Sequence, residues 1–247
     1  VSLALDMHLI PTLRLALAAS VLLLAALTSA PAAAHGHGIL NPFDPLHPHH
    51  HHAKAHRRGG TAAVLFGAAL CIPGKAACSR DAGPTVDGRT RPSFGTSAEL
   101  GYRFNPYVTA GAHYTLGFLD PDYEVPTGGP YERVLVHGVY GVVRPTLPLG
   151  RVDFSLGVGP GFARQVLVRG GSQRDYADGF SALLSPAVDV FVAPRVFLGA
   201  TADIILNAPR RTCQQSGDST MCGEPVASDP IPIHTVVFGL RIGGTFL

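Results

Sequence analysis

Residues 233–247 read IHTVVFGLRIGGTFL, with apolar side chains on every second position: Val236, Phe238, Leu240, Ile242 and then Phe246. Thr235, Gly239, Arg241, Gly243 and Thr245 fall between them. A period of two sends alternate side chains to opposite faces of a β-strand, so one face is apolar and the other small or polar. The same alternation recurs upstream. In 93–104, Phe94, Thr96, Ala98, Leu100, Tyr102 and Phe104 oppose Ser93, Gly95, Ser97, Glu99, Gly101 and Arg103. In 107–118, Val108, Ala110, Ala112, Tyr114, Leu116 and Phe118 oppose Tyr107, Thr109, Gly111, His113, Thr115 and Gly117. Residues 152–158 and 196–206 repeat the pattern, with Asp153 and Asp203 on the polar side.

Eight segments carry this strand character: 61–70, 93–104, 107–118, 132–146, 152–168, 180–192, 196–208 and 233–247. Most run about ten to thirteen residues, close to the ~9–11 that cross a bilayer at a tilt. Their connections alternate in length. Asn105-Pro106, Leu147 to Gly150 and Ala193 to Arg195 are short, whereas 71–92, 119–131, 169–179 and 209–231 are long. In an up-and-down arrangement this puts all long loops at one end and all short turns at the other. Pro160 and Pro186 fall inside predicted strands, where each removes a ladder donor, and the glycines flanking Pro160 predict a bulge there.

Every charge in the strand middles lies on the polar face, which is otherwise Gly, Ser and Thr. Such a face suits the inside of a small barrel, where glycines make room for a few large polar chains. Glu99, Arg103, Asp153, Asp189, Asp203 and Arg241, with His113 and in addition His137, are the predicted interior ion-pair network. The alternative is a solvated sheet face. A barrel in lipid must close its last strand on its first, because an open edge leaves backbone groups unpaired at several kcal/mol each. The predicted fold is therefore all-β: an eight-stranded antiparallel up-and-down transmembrane β-barrel over 61–247, preceded by a disordered N-terminal tail.

The N-terminal region changes the compartment. Residues 13–34, LRLALAASVLLLAALTSAPAAA, combine a basic flank at Arg14, a Leu/Ala run and an Ala32-x-Ala34 pattern before His35. This reads as a secretory signal peptide over 1–34, the alternative being an uncleaved membrane helix. Composition agrees with export into a membrane. The formal net charge is +2, too slight for a dedicated nucleic-acid binder. Mean hydropathy is +0.23, yet no second apolar run reaches helical spanning length.

Together these features resemble the small eight-stranded outer-membrane barrels of Gram-negative bacteria. The resemblance rests on the signal peptide, the strand count, the loop sorting and the aromatic-ended last strand. Phe246 is penultimate and Leu247 last, where that family's assembly signal ends in Phe. It implies location in the bacterial outer membrane, contact with its lipid, and recognition of the last strand by the barrel-assembly machinery. Tyr102, Phe104, Tyr107 and Phe246 are then girdle residues.

Candidate chemistry is sparse. An exported chain with four cysteines reads as disulfide-bonded. Cys71–Cys78 and Cys213–Cys222 would be short loop staples; cross-pairing between the two loops stays open, and metal ligation lacks C-x-x-C spacing. No Ser-His-Asp constellation or phosphate-binding glycine loop stands out. Expected functions are a non-enzymatic barrel whose loops meet an unknown extracellular partner in adhesion, envelope integrity or surface interaction; a small ligand-binding or transport barrel; or a lipid-modifying enzyme. No cofactor is expected, with one exception. The segment 35–60, HGHGILNPFDPLHPHHHHAKAHRRGG, reads as a disordered periplasmic tail. Its His47, His49, His50, His51, His52 and His56 could wrap a transition metal, or simply hydrate a spacer.

Overall fold

The computed structural model describes residues 55, 57–72, 78, 88–123, 131–169, 173–217, 219–225 and 233–246. They belong to a unit spanning His51–Leu247; the segment expected to be a signal peptide and most of the histidine-rich tail lie outside them. The described residues form strands β1 (Gly59–Ile72), β2 (Gly88–Asn105), β3 (Val108–Tyr123), β4 (Arg133–Leu149), β5 (Val152–Val168), β6 (Gln173–Phe191), β7 (Val196–Ser216), β8 (Ser219–Gly223) and β9 (His234–Phe246).

Each strand pairs antiparallel with its neighbour, and the sheet closes. β9 pairs with β1 from Gly60↔Phe246 to Ile72↔His234, and with β7 from Val196↔Gly244 to Ile205↔Thr235. β8 is not a stave; it folds back on the end of β7. The eight staves are staggered. Walking sideways through partners from Gly60 leads to Tyr102, Ala110, Val143, Val158, Leu184, Ile204, Val236 and then Leu70, ten residues further along β1 than the start. A stagger of that size over eight strands fixes a tilt inside the ~35–45° range of membrane barrels.

The wall has the two faces that the alternation requires. Leu240 is 70% exposed, Leu100 63% and Phe66 57%, whereas Thr235, Val237 and Asp203 are fully buried inside. Rings mark both edges of the apolar belt. Tyr102, Phe104, Tyr107 and Phe246 lie at the turn end; Phe94 and Phe238, both partners of Ala68, and the directly paired Phe162 and Phe180 lie toward the loop end. The chain is an antiparallel up-and-down eight-stranded β-barrel with a lipid-facing exterior.

The turns follow local chemistry. Asn105 Oδ1 accepts from the backbone N–H groups of Tyr107 and Val108 at 2.8 and 3.0 Å, holding the β2–β3 turn. The β4–β5 turn is Gly150-Arg151, with Gly150 at φ 61°, where a side chain is disfavoured. Inside, Gly239, Gly67, Gly95 and Gly117 form one row of direct partners across β9, β1, β2 and β3. A Cβ on Gly95 would stand 2.6 Å from Val237 Cγ1, so this row leaves room for the inward Val237 of β9.

Several sequence expectations need correction. β6 begins at Gln173, not 180, and β7 runs to Ser216, so only 169–172 join β5 to β6 and the strict alternation of loop lengths fails there. These extensions stand beyond the apolar belt, where neither face needs to be greasy and the period-two signal fades. No bulge occurs at Pro160: the β5–β6 register is continuous past it, and the irregularities fall at Pro92/Gly95, Arg103/Asn105 and Asp178/Gly179. The barrel also reaches further back than residue 61, because β1 starts at Gly59 and Ala55 packs against Phe191, Phe197 and Ala63.

Alternation along β9 sets what two substitutions do. Leu240→Arg places a charge on the lipid face within the apolar belt and should cost folding free energy, up to the ~2–4 kcal/mol of a midplane charge. Thr235→Lys enters a fully buried position and should destabilise as well. Both variants should lose the folded, fast-migrating band of unboiled samples at lower urea than wild type. Wild-type behaviour of Leu240→Arg would contradict the outward assignment, and wild-type behaviour of Thr235→Lys would contradict a packed interior.

Candidate functional site

The lumen is the place where the chain gathers chemistry, and it has two layers. Near the turn end it is ionic. Glu99 on β2 is the hub: it accepts from Arg144 Nε at 3.2 Å and Nη2 at 2.6 Å, and from Arg241 Nη2 at 3.4 Å. Arg241 also faces Asp189 at 3.8 Å. His113 stands between two carboxylates, with Nδ1 3.2 Å from Glu99 and Nε2 3.0 Å from Asp203. The ring can donate to both only as the imidazolium. Ser185 donates to Asp203 at 2.7 Å, and its carbonyl accepts from Arg144 at 2.9 Å.

Below this cluster, Asp153 holds two guanidiniums. Arg103 Nη1 lies 2.7 Å from it and Arg57 Nε 2.9 Å. Arg103 also donates to the Pro106 carbonyl at 2.5 Å, so the network is tied to the β2–β3 turn. Arg57 stacks over the Phe191 ring at 5.3 Å and donates to the Gly150 carbonyl. The residues just before β1 therefore bend across the turn-end mouth. In this network four arginines (57, 103, 144 and 241) face four carboxylates (99, 153, 189 and 203), with His113 between two of them. Buried charges need such compensation, because desolvating each costs several kcal/mol.

Toward the loop end the lumen is apolar. Leu65, Ala69, Leu119, Val134, Val136, Tyr140, Leu167, Leu183, Ile205 and Val237 pack into one cluster. Two of its polar side chains hold the chain entering β9, while Thr235 Oγ1 is buried without a hydrogen-bond partner among the described residues. Gln165 exchanges two 3.0 Å hydrogen bonds with the Ile233 backbone, and Asn207 Nδ2 donates to the Ile233 carbonyl at 2.6 Å. The chain entering β9 is thus clamped from across the lumen. Within the ionic layer, toward the turn end, lies a cavity of about 30 Å³ lined by Asp153, Asp189 and Arg241 among others. That is room for a water or two, not for a channel.

Glu99, Arg103, His113, Asp153, Asp189, Asp203 and Arg241 all point inward and join this network. His137 does not. It sits on the outer wall, its ring 6.4 Å from Tyr114, because inward positions on β4 are the even-numbered ones. The sequence reading missed Arg144, the most connected cation, and Arg57, which lies in the expected tail. Cys71 is bonded to Cys78, and Cys213 to Cys222 across directly paired positions of β7 and β8. The predicted metal ligands His47, His49, His50, His51, His52 and His56 lie outside the described residues.

No family model matches this chain, and no curated protein matches it. Solved structures do. The outer membrane protein OprG from Pseudomonas aeruginosa is 9% identical, with a TM-score of 0.48 over 77% of this chain and 98% of that one. Neisserial surface protein A is 12% identical, with a TM-score of 0.45 over 76% and 96%. Ail, the attachment invasion locus protein of Yersinia pestis, is 12% identical, with a TM-score of 0.37 over 75% and 99%. Likenesses this distant carry nothing about function, and the barrel fold rests on the closed strand register itself.

The ionic layer makes a direct prediction. Glu99→Ala leaves Arg144, Arg241 and His113 without their shared carboxylate and should destabilise the barrel by ~3–5 kcal/mol, the usual result of removing one member of a buried pair. Urea titration of the folded band in lipid or detergent reads this as a lower midpoint. An unchanged midpoint would mean that the network contributes nothing to stability.

Proposed function

We propose that this protein is a closed, non-enzymatic outer-membrane barrel that works through its loop end rather than through its lumen. The observation that supports this reading most strongly is the double filling of the interior, ionic near the turns and apolar near the loops, with a cavity of only about 30 Å³ inside the ionic layer. Membrane barrels carry short turns on the periplasmic side and longer loops outside. On that rule the connections after β1, β3, β5 and β8 face the exterior, together with the β7–β8 hairpin stapled by Cys213–Cys222. Surface interaction, adhesion and envelope integrity are functions that need only such loops on a rigid wall.

Planar-bilayer recording of the full chain should show no steady conductance steps at physiological salt. Stable, reproducible openings would instead favour the small transport barrel.

The histidine-rich segment reads as the periplasmic flank of this barrel. Its imidazoles at positions 47, 49–52 and 56 are ligands for Zn²⁺ or Cu²⁺. Zn²⁺ titration of the full chain should give binding that disappears when these six histidines are replaced by Gln. Equal binding by the two proteins would exclude the segment as the ligand source.

A further inference from the structure

The outer wall of β4–β7 carries a second cluster of charge that the interior network does not use. Strand register places it. Going up the lipid-facing side, the directly paired Phe162 and Phe180 form one row of the aromatic belt. The next outward row is His137, Arg164, Asp178 and Arg211, each the direct partner of the one before. Two rows higher, Arg133 and Arg174 flank Val168. Asp178 pairs with Arg211 while Gly179 pairs with Pro209, so Arg210 is an extra residue at a bulge. That bulge turns Arg210 back over the Phe180 ring, 6.0 Å from its centre. Five arginines (133, 164, 174, 210 and 211) are therefore exposed on one sector of the wall.

The acid in these rows is Asp178, and it positions cations rather than neutralising the sector. It accepts from Arg164 at 2.5 and 2.8 Å and from Arg211 at 3.3 Å. Arg164 is also stacked on Tyr176 at 5.3 Å. Asp175, the neighbouring acid, is held by Arg169 at 2.6 Å. Arg164 and Arg211 remain 46% and 56% exposed. A guanidinium has five N–H donors, so each keeps several free after meeting Asp178. Fixing their planes in advance lowers the entropic cost of ligand binding.

Depth decides what meets these donors. One outward step is two residues, or ~5 Å along the membrane normal for a strand tilted by ~40°. Arg164 thus stands ~5 Å above Phe162 on β5, and Asp178 ~5 Å above Phe180 on β6, within the ~5–7 Å polar zone that borders the hydrocarbon. That zone holds lipid headgroups. A forked, preset, net-positive cluster at that level matches the geometry and charge of phosphate.

We propose that this sector is a binding site for a phosphorylated anionic lipid of the loop-side leaflet, with Arg164 and Arg211 gripping the phosphate and Arg133, Arg174 and Arg210 around it. The proposal rests on the reading of the wall as lipid-facing. The two are separable by experiment. Full-length protein is first incorporated into phosphatidylcholine vesicles; flotation with the vesicles and a heat-shifted gel band establish insertion without any anionic lipid. Nanodiscs then present bis-phosphorylated lipid A or its dephosphorylated form at a low, equal mole fraction, and native mass spectrometry counts the lipid retained.

Wild type should retain the phosphorylated form, and Arg164→Gln/Arg211→Gln should retain roughly tenfold less or lower, as loss of charge-assisted bonds implies. Arg133→Gln/Arg210→Gln leaves Asp178 paired, so its folding is secure, and should also weaken retention. Arg195→Gln at the turn end should not. Equal retention by wild type and both double variants, or no preference for the phosphorylated lipid, would overturn the proposal. So would full displacement by millimolar inorganic phosphate, which would mark a site for soluble anions. Failure of wild type to float would instead overturn the lipid-facing reading beneath it.

Discussion

Backbone hydrogen bonding inside a bilayer is the constraint from which the rest of this structure follows. With no water in the hydrocarbon, every peptide N–H and C=O of a spanning strand needs a partner in the protein. The β1–β9 ladder supplies the last of these, from Gly60↔Phe246 to Ile72↔His234. Closure with eight strands fixes the stagger and tilt, and those fix a narrow bore. The alternation of side chains then has only one arrangement available. Leu240, Ile242 and Phe238 must meet lipid, and Thr235, Val237, Gly239 and Arg241 must share the axis.

A narrow bore has to be filled, and the two layers fill it by different physics. At the loop end, apolar side chains pack as in a soluble core, while Gln165 and Asn207 clamp the Ile233 backbone. At the turn end, charges fill the space and must cancel one another, which ties seven strands together through Glu99, Arg103, His113, Arg144, Asp153, Ser185, Asp203 and Arg241. The row of glycines on β9, β1, β2 and β3 belongs to the same solution. It thins one side of the wall and leaves room there for the inward Val237 and Ala69. Arg57 adds a final closure from outside the sheet, through Asp153 and Phe191.

The faces of β2, β3, β7 and β9 were legible in the sequence because a one-residue slip would move every apolar side chain to the wrong side. β4 was harder. In RVLVHGVYGVVRPTLPL both faces carry aliphatic residues, since the inward Val134, Val136 and Val142 belong to the apolar layer. His137 therefore looked like the polar residue to place inside, and Arg144 was passed over. The usable signal was cost: an outward Arg144 would stand in lipid at ~2–4 kcal/mol, so Arg144 fixes the even positions of β4 as inward and sends His137 out. The upper ends of β6 and β7 were illegible for the opposite reason. Above the belt, stretches such as QRDYADG face water or headgroups on one side and polar neighbours on the other, so hydrophobic period carries no information. Arg57 sat within a run of His, Arg and Gly, and its role depends on Asp153, 96 residues away, which no local pattern encodes.

A filled lumen behind a lipid-facing wall is the central claim, and a nitroxide scan along β9 in bilayers tests it most directly. Labels placed singly from 235 to 246 are read for collisions with oxygen, which concentrates in lipid, and with a water-soluble nickel chelate. The account predicts oxygen maxima at 236, 238, 240 and 242, and low accessibility to both reagents at 235, 237, 239 and 241. High nickel accessibility at the odd positions would mean a water-filled lumen or a soluble sheet, and loss of the two-residue period would contradict the strand itself.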